Sequence, residues 1–257
     1  FAELLGLDQT WESGEGTIET EREELFPNEE ECRHTSKKIK LLAEEPDKGI
    51  SGGEKVCTWT YIAPSVKTGL KVHATPRVRF FYKYSSSTIK TITIVPREEL
   101  KTLQNQGKGL PSESYSKTRS PIDIGIETSS PVRSYGDSVE FPIIITVKNT
   151  GGGTVCKTIE NCKKATWGIK PDTDINEGWY VVNLDIIIPP DSTIKNCNEM
   201  EKVVLIGTTP QTFSCKMTVN IRPDQIGLIQ KKIEVRADYG YFIDKSSSVT
   251  VLSSNQP

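Results

Sequence analysis

The chain has 257 residues, in which 32 Lys and Arg nearly balance 34 Asp and Glu, so no net positive field is available to collect phosphates and nucleic acid is not an expected partner. That length suffices for two ordinary domains, each able to bury a core without a metal or cofactor. Apolar runs stay as short as Ile186-Ile187-Ile188, far below the ~20 residues of a membrane helix, so membrane contact is expected only through a segment absent from this chain.

The sequence opens at Phe1 with no basic stretch followed by an apolar one, so any signal peptide or anchor is expected to have been removed or to lie outside this fragment. After FAELLGLDQTWESG comes an acidic stretch, Glu15 to Glu31, holding Glu19, Glu21, Glu23, Glu24, Glu29, Glu30 and Glu31. It reads as a solvated face or a strand edge kept from aggregating; divalent-cation bridging between subunits is the sharper alternative. Strand-like runs follow in IKLL (39–42), VCTWTYI (56–62) and VRFFYKYSSSTIKTITIV (78–95). Then PREELKTLQNQ (96–106) reads as a helix, with Pro at the first turn, acids next, Leu100 and Leu103 three apart, and Gly107 as the stop.

The segment GKGLPSESYSKTRS (107–120) has no periodicity and is rich in Gly, Ser and Lys, which suits a linker. Domain one is therefore expected over 1–108, a linker over 109–119 and domain two over 120–257. Beyond it, alternation and β-branched residues recur in VEFPIIITVKN (139–149), WYVVNLDIII (179–188), TFSCKMTVNI (212–221), KKIEVRADYGY (231–241) and SSVTVL (247–252), separated by turn-formers such as Pro189-Pro190-Asp191. One short helix among many strands means an all-β protein.

The pattern repeats. Val78, Arg79, Tyr82 and Tyr84 match Val235, Arg236, Tyr239 and Tyr241, and the serines 85–87 match 246–248 after an insertion, Phe242 to Lys245. Upstream, Cys57 and Cys215 hold nearly the same distance from these stretches, Cys32 and Cys197 each precede an apolar strand, and EGTIETEREELFP resembles EGWYVVNLDIIIPP. So many ordered features imply a duplication. The tyrosine pairs then read as core or corner residues on one strand face, each followed by a hairpin and a last strand, rather than as an aromatic ligand platform. The first copy is expected to lack its first two strands. Either the protein continues upstream, or the exposed sheet edge is completed by another chain.

Six cysteines, Cys32, Cys57, Cys156, Cys162, Cys197 and Cys215, with no C-x-x-C and only two histidines, fit disulfides better than zinc. The expected pairs are Cys32 with Cys57, Cys156 with Cys162, and Cys197 with Cys215, so that the first and third are one bridge repeated; other connectivities among the fifteen stay open. Structural disulfides point outside the cytoplasm, buried free thiols and the hyperthermophile exception being the alternatives.

The stretch PVRSYGDSVEFPIIITVKNTGGGTV, with its Pro and a strand ending in V-x-N-x-G, resembles the opening of CARDB-type and related archaeal cell-surface β-sandwich domains. GGEKVCTWTYIAP, PRVRFFYKY and IEVRADYGYFIDKSSSVTV are similar to envelope proteins built from two such domains. The resemblance implies two tandem immunoglobulin-like β-sandwiches, secreted or membrane-anchored, with a structural or adhesive role and no catalytic residues.

Chemistry candidates are few. PDTDINEG (171–178) sets Asp172, Asp174 and Asn176 at alternate positions, as hard oxygen ligands at the start of a calcium loop would be; the Gly comes one position late, and an ordinary Asx-type turn is the plainer reading. Neither His34 nor His73 has a companion motif for a triad, and no G-x-S-x-G, H-E-x-x-H or P-loop is present. The expected function is a non-enzymatic extracellular structural subunit, self-associating or joined to other envelope proteins. The alternative is a binding module recognising a glycan or partner protein, in which Trp11, Trp167 or Trp179 would be exposed; buried tryptophans would favour the structural role.

Overall fold

The computed structural model describes residues 2–5, 12–13, 17–19, 56–58, 61–109, 113–129, 131–163, 178–197, 200–221 and 227–253. Strands dominate, and the chain is all-β. It divides into two compact units, one of residues 1–82 with 242–257 and one of residues 83–241. The expected boundaries near 108 and 120 both fall inside the second unit.

The first unit begins with β1 (Ala2–Leu5), β2 (Glu12–Ser13), β3 (Thr17–Glu19), β4 (Val56–Thr58), β5 (Tyr61–Ile62) and β6 (Lys71–Ala74), followed by the start of β7 (Arg77–Pro96). β1 pairs antiparallel with β7, Ala2 opposite Phe80 and Leu5 opposite Arg77. β2 pairs with β5, and β3 with β4, placing Ile18 opposite Cys57.

In the second unit β7 runs on to Pro96, which caps α1 (Arg97–Asn105), and Glu98 and Glu99 stand in its first turn. The helix ends as expected: Gly107 takes φ +64° and Lys108 N–H reaches the Leu103 carbonyl at 3.0 Å. Then come β8 (Tyr115–Lys117), β9 (Ile122–Thr128), β10 (Val132–Ser134), β11 (Ser138–Asn149), β12 (Thr154–Cys156), α2 (Ile159–Lys163), β13 (Val181–Val182), β14 (Asp185–Ile187), β15 (Ser192–Lys195), β16 (Val203–Val204), β17 (Gln211–Asn220) and β18 (Ile229–Ser246). β8 occupies part of the expected linker and pairs antiparallel with β7, Ser116 opposite Ile89. The run 179–188, expected as one strand, is broken into β13 and β14, and Leu184 N–H between them is taken by the Met200 carbonyl at 3.0 Å.

One sheet of the second unit has the order β15-β17-β11-β9, antiparallel throughout. Its alternation is the sequence's own: Ile122, Ile124 and Ile126, Phe141, Ile143, Ile145 and Val147, and Cys215, Met217 and Val219 are buried, with exposed or half-buried residues between them. Pro142 is tolerated within β11 because the β9 ladder ends one residue away, at Ile143 opposite Thr128. The other sheet is built on β7 and β18, with β12 and β14 beside β18, and with β8 and, in parallel, β10 beside β7. It contributes Ile92, Ile94, Ile233, Val235 and Ala237 to the buried set, each large aliphatic side chain contributing about 1.5–3 kcal/mol on burial.

The hairpins expected after each tyrosine pair are absent. β7 continues through Ser85–Ser87. Three serines supply neither the Gly nor the Asn that a tight hairpin requires at φ > 0, and the strand's own hydroxyls find partners instead. Ser86 Oγ lies 2.7 Å from the buried Tyr239 hydroxyl, and Ser87 Oγ donates to Glu234 at 2.7 Å. After β18 the chain likewise does not fold back on it. β19 (Val249–Leu252) belongs to the first unit, where it pairs antiparallel with β6.

Candidate functional site

The repeat and the division into units do not coincide. The first copy's closing segment, after Tyr82, lies in the second unit, and the second copy's, from Phe242, lies in the first. On the duplication expected from the sequence, each unit contains the segment expected to close the other copy.

In the first unit this produces a seam between residues 71–81 and 242–252. Lys71 stands opposite Leu252 and Ala74 opposite Val249. Ser247 N–H donates to the Pro76 carbonyl at 3.1 Å, Arg79 meets Asp244, and the Phe81 and Phe242 rings lie 6.0 Å apart. One step along one segment is one step back along the other, so a single antiparallel register holds from Leu252 to Phe242. Pro76, which has no N–H, enters the ladder only as an acceptor.

The seam has a polar lock. Arg79 is 4% exposed; its Nε donates to Asp244 Oδ1 at 2.7 Å and its Nη2 to Oδ2 at 2.9 Å. The guanidinium also lies 4.2 Å from the Phe242 ring centroid, close enough for a cation–π contribution. Phe242 and Asp244 both belong to the insertion Phe242–Lys245 that the first copy lacks. Arg236, the counterpart of Arg79, reaches Asp238 on its own strand at 3.1 Å, with 47% of its side chain exposed. The lock thus exists in one direction only: the second copy's segment carries the key and Arg79 receives it. Sequence reasoning missed these residues. The insertion was the signal that could have found them, because residues that break a repeat have no packing counterpart in the other copy.

In the second unit the second tyrosine pair is core, and Tyr239 and Tyr241 are 1% and 0% exposed. The Tyr239 hydroxyl accepts from Ile122 N–H at 3.3 Å beside its bond with Ser86, and the Tyr84 and Tyr239 ring centroids lie 6.2 Å apart. Tyr241 OH donates to Asn149 Oδ1 at 2.7 Å and accepts from Gly153 N–H at 2.8 Å. Asn149 in turn accepts from Gly151 N–H and donates to the Gly153 carbonyl. The V-x-N-x-G pattern is therefore a glycine turn tied to β18 by a tyrosine. Burial pushes both phenols above the ordinary tyrosine range, with the bonds from Ser86 and from Gly153 partly opposing it.

Cys156 is bridged to Cys162 and Cys197 to Cys215, with Cα–Cα distances of 5.5 and 4.9 Å; these are the partners expected for those four residues. Cys32, and with it the Cys32–Cys57 pairing, lies outside the described residues, as do Asp172, Asp174 and Asn176, most of the acidic stretch, His34, Trp11 and Trp167. His73 stands on β6 with Nδ1 3.0 Å from Thr250 Oγ1. Trp179 is 4% exposed and donates its indole N–H to the Asn161 carbonyl at 2.6 Å. Among the described residues no three His, Cys, Asp or Glu side chains converge for a metal ion. A shallow groove of about 440 Å³ on the second unit is lined by Ile89, Ile187, Ile188, Pro189, Lys232 and Glu234, among others.

No family model, no curated protein and no solved structure matches this chain.

Proposed function

We propose that this chain is a non-enzymatic extracellular structural subunit of a cell-surface assembly such as a surface layer, a pilus-like filament or an envelope complex. The observation that carries this reading is that residues 242–257 belong to the first unit, where Val249–Leu252 pair with Lys71–Ala74, so that unit is assembled from both ends of the chain, as suits a subunit held in place within an assembly. The two disulfides support an oxidising location. None of the described helices is long and apolar enough to cross a membrane. The buried Trp179 supports the structural reading over an aromatic binding surface.

The test is electron microscopy of the native protein in the surface fraction of its source cells. Ordered filaments or lattices are the expected result, and isolated particles would overturn the reading. A second reading, a module that binds a glycan or a partner protein, is favoured by the groove beside Ile187 and Pro189; glycan-array and pull-down binding abolished by Ile187→Asp would establish it.

A further inference from the structure

We propose that the seam also forms in trans: residues 242–252 of one copy of this chain dock on residues 71–81 of a second copy. This deepens the structural-subunit reading and rests on it for its biological use.

Every contact in the seam is made between two segments that lie far apart in sequence, and because residues 242–246 are the end of β18, exchange opens that strand at Phe242. Arg79 and Asp244 are 165 residues apart, and His73 and Thr250 are 177 apart. An element already exchanged between two repeats can be exchanged between two chains with the same contacts remade, which is the low-cost route of strand swapping. The outer end of the seam is built to open. Among the described residues β6 and β19 pair only with each other, and an isolated two-stranded ribbon is marginal in water. Val249 is 39% and Leu252 61% exposed, so little apolar area holds that end closed.

The inner end supplies recognition. Arg79 waits on the accepting segment, and Phe242 and Asp244 arrive with the incoming one. The first copy's closing segment has neither group, because it lacks the insertion. The accepting surface therefore selects 242–252 rather than its relative. The occupant is this chain's own segment, since it is the one seated there. One-way exchange extends a row of subunits, and reciprocal exchange closes a pair.

The test uses two variants of the full chain that each add one cysteine, His73→Cys and Thr250→Cys, whose positions are direct partners across the seam. One is isotopically labelled; the two are mixed over a range of concentrations, oxidised and digested, and peptides joined through positions 73 and 250 are measured by mass spectrometry. The expected result is a mixed-label bridge whose yield rises with concentration. Adding Asp244→Asn to the His73→Cys chain, whose own segment then competes for its Arg79 without the bidentate bond, is expected to raise the yield of one-way exchange about tenfold, the change that follows from losing about 1.4 kcal/mol. The double variant His73→Cys/Thr250→Cys is the folding control. If it bridges within one chain while the mixture gives no bridge at any concentration, exchange between chains is overturned. If neither bridges, the seam itself is absent and the proposal falls with it. A mixed bridge together with isolated particles at the cell surface would leave the exchange standing and remove the structural-subunit reading; lattices without a mixed bridge would do the reverse.

Discussion

Arg79 and Asp244, 165 residues apart in sequence, form a bidentate pair at 2.7 and 2.9 Å, and its Arg side is 5% exposed against 30% for the Asp side chain. Removing the carboxylate leaves a buried guanidinium with part of its fork unanswered. Asp244→Ala is therefore expected to destabilise the first unit by about 2 kcal/mol, within the range for hydrogen bonds to charged groups. Arg79→Lys is expected to recover less than half of that, since a single ammonium cannot reproduce the fork or the stacking on Phe242. Urea denaturation followed by tyrosine fluorescence would measure both; equal stability of wild type and Asp244→Ala would contradict this account.

Tyr239 and Tyr241 test the core of the second unit. Tyr239→Phe strands the Ile122 N–H and the Ser86 hydroxyl, and Tyr241→Phe strands the Gly153 N–H. Each is expected to cost about 1–3 kcal/mol, the penalty for leaving buried polar groups unpaired. Tyr84 donates to the Arg119 carbonyl but is 36% exposed, so water can replace its bond. Tyr84→Phe is expected to cost less than about 1 kcal/mol. Thermal melts of the three variants give the comparison, and a Tyr84 effect equal to that of Tyr239 would refute the assignment.

The same burial has a consequence at alkaline pH. Both phenols are raised in the folded state by desolvation, so the neutral form is favoured there and the unfolded chain ionises first. The stability they contribute is fully present below the unfolded tyrosine value, ~10. It is lost as pH rises from there through the folded value. Ultraviolet titration should show a late-titrating set of tyrosines that ionise together with unfolding, and in Tyr239→Phe/Tyr241→Phe that set should shrink. Normal titration of all eight tyrosines would rule this out.

The parts of this fold that are local in origin were legible. Alternation placed Phe141, Ile143, Ile145 and Val147 of β11 on a buried face because a strand's side-chain period is fixed by its backbone. The cap and stop of α1 were equally local. Where a choice depended on distant residues, legibility failed. Ser85–Ser87 is compatible with a turn by composition, and what keeps it extended includes a hydroxyl 153 residues away, on Tyr239. The exchange of closing segments is invisible for the same reason, since a strand such as Thr88–Val95 has one set of propensities whichever unit it completes. Phe242 and Asp244 stood out only as an insertion, and nothing within that insertion named Arg79 as its partner.

The two bridges differ in the loops they close. Cys156 and Cys162 are 6 residues apart, and Cys197 and Cys215 are 18 apart. Chain entropy assigns about 2 kcal/mol to the shorter loop and about 3 kcal/mol to the longer. Cys197→Ala/Cys215→Ala is therefore expected to lower the melting temperature more than Cys156→Ala/Cys162→Ala. Burial narrows the difference, because Cys156 and Cys162 are both 0% exposed whereas in the longer bridge Cys215 is buried, opposite Ile143 in β17, and Cys197 is half-buried, and each buried sulfur lost leaves a void. Calorimetry of the two double variants decides, and a larger loss from the shorter loop would show that native packing around α2 outweighs the entropy.

Gly240 separates the copies most sharply at a single position. A Cβ there would lie 2.5 Å from the Thr158 carbonyl oxygen and 2.6 Å from Ile159 N, both backbone atoms at the start of α2. Its counterpart by the repeat is Lys83, which is exposed. The strand tolerates a long side chain in one copy and none in the other, because only in the second does a helix start press against it. Gly240→Ala should force α2 away from β18 and cost about 3 kcal/mol, at the upper end of overpacking penalties. Since Cys162 lies in α2, the variant should also make the Cys156–Cys162 bridge easier to reduce. Faster loss of that bridge in dithiothreitol, followed by alkylation and mass spectrometry, is the expected outcome; an unchanged reduction rate together with wild-type stability would mean that no such close approach exists.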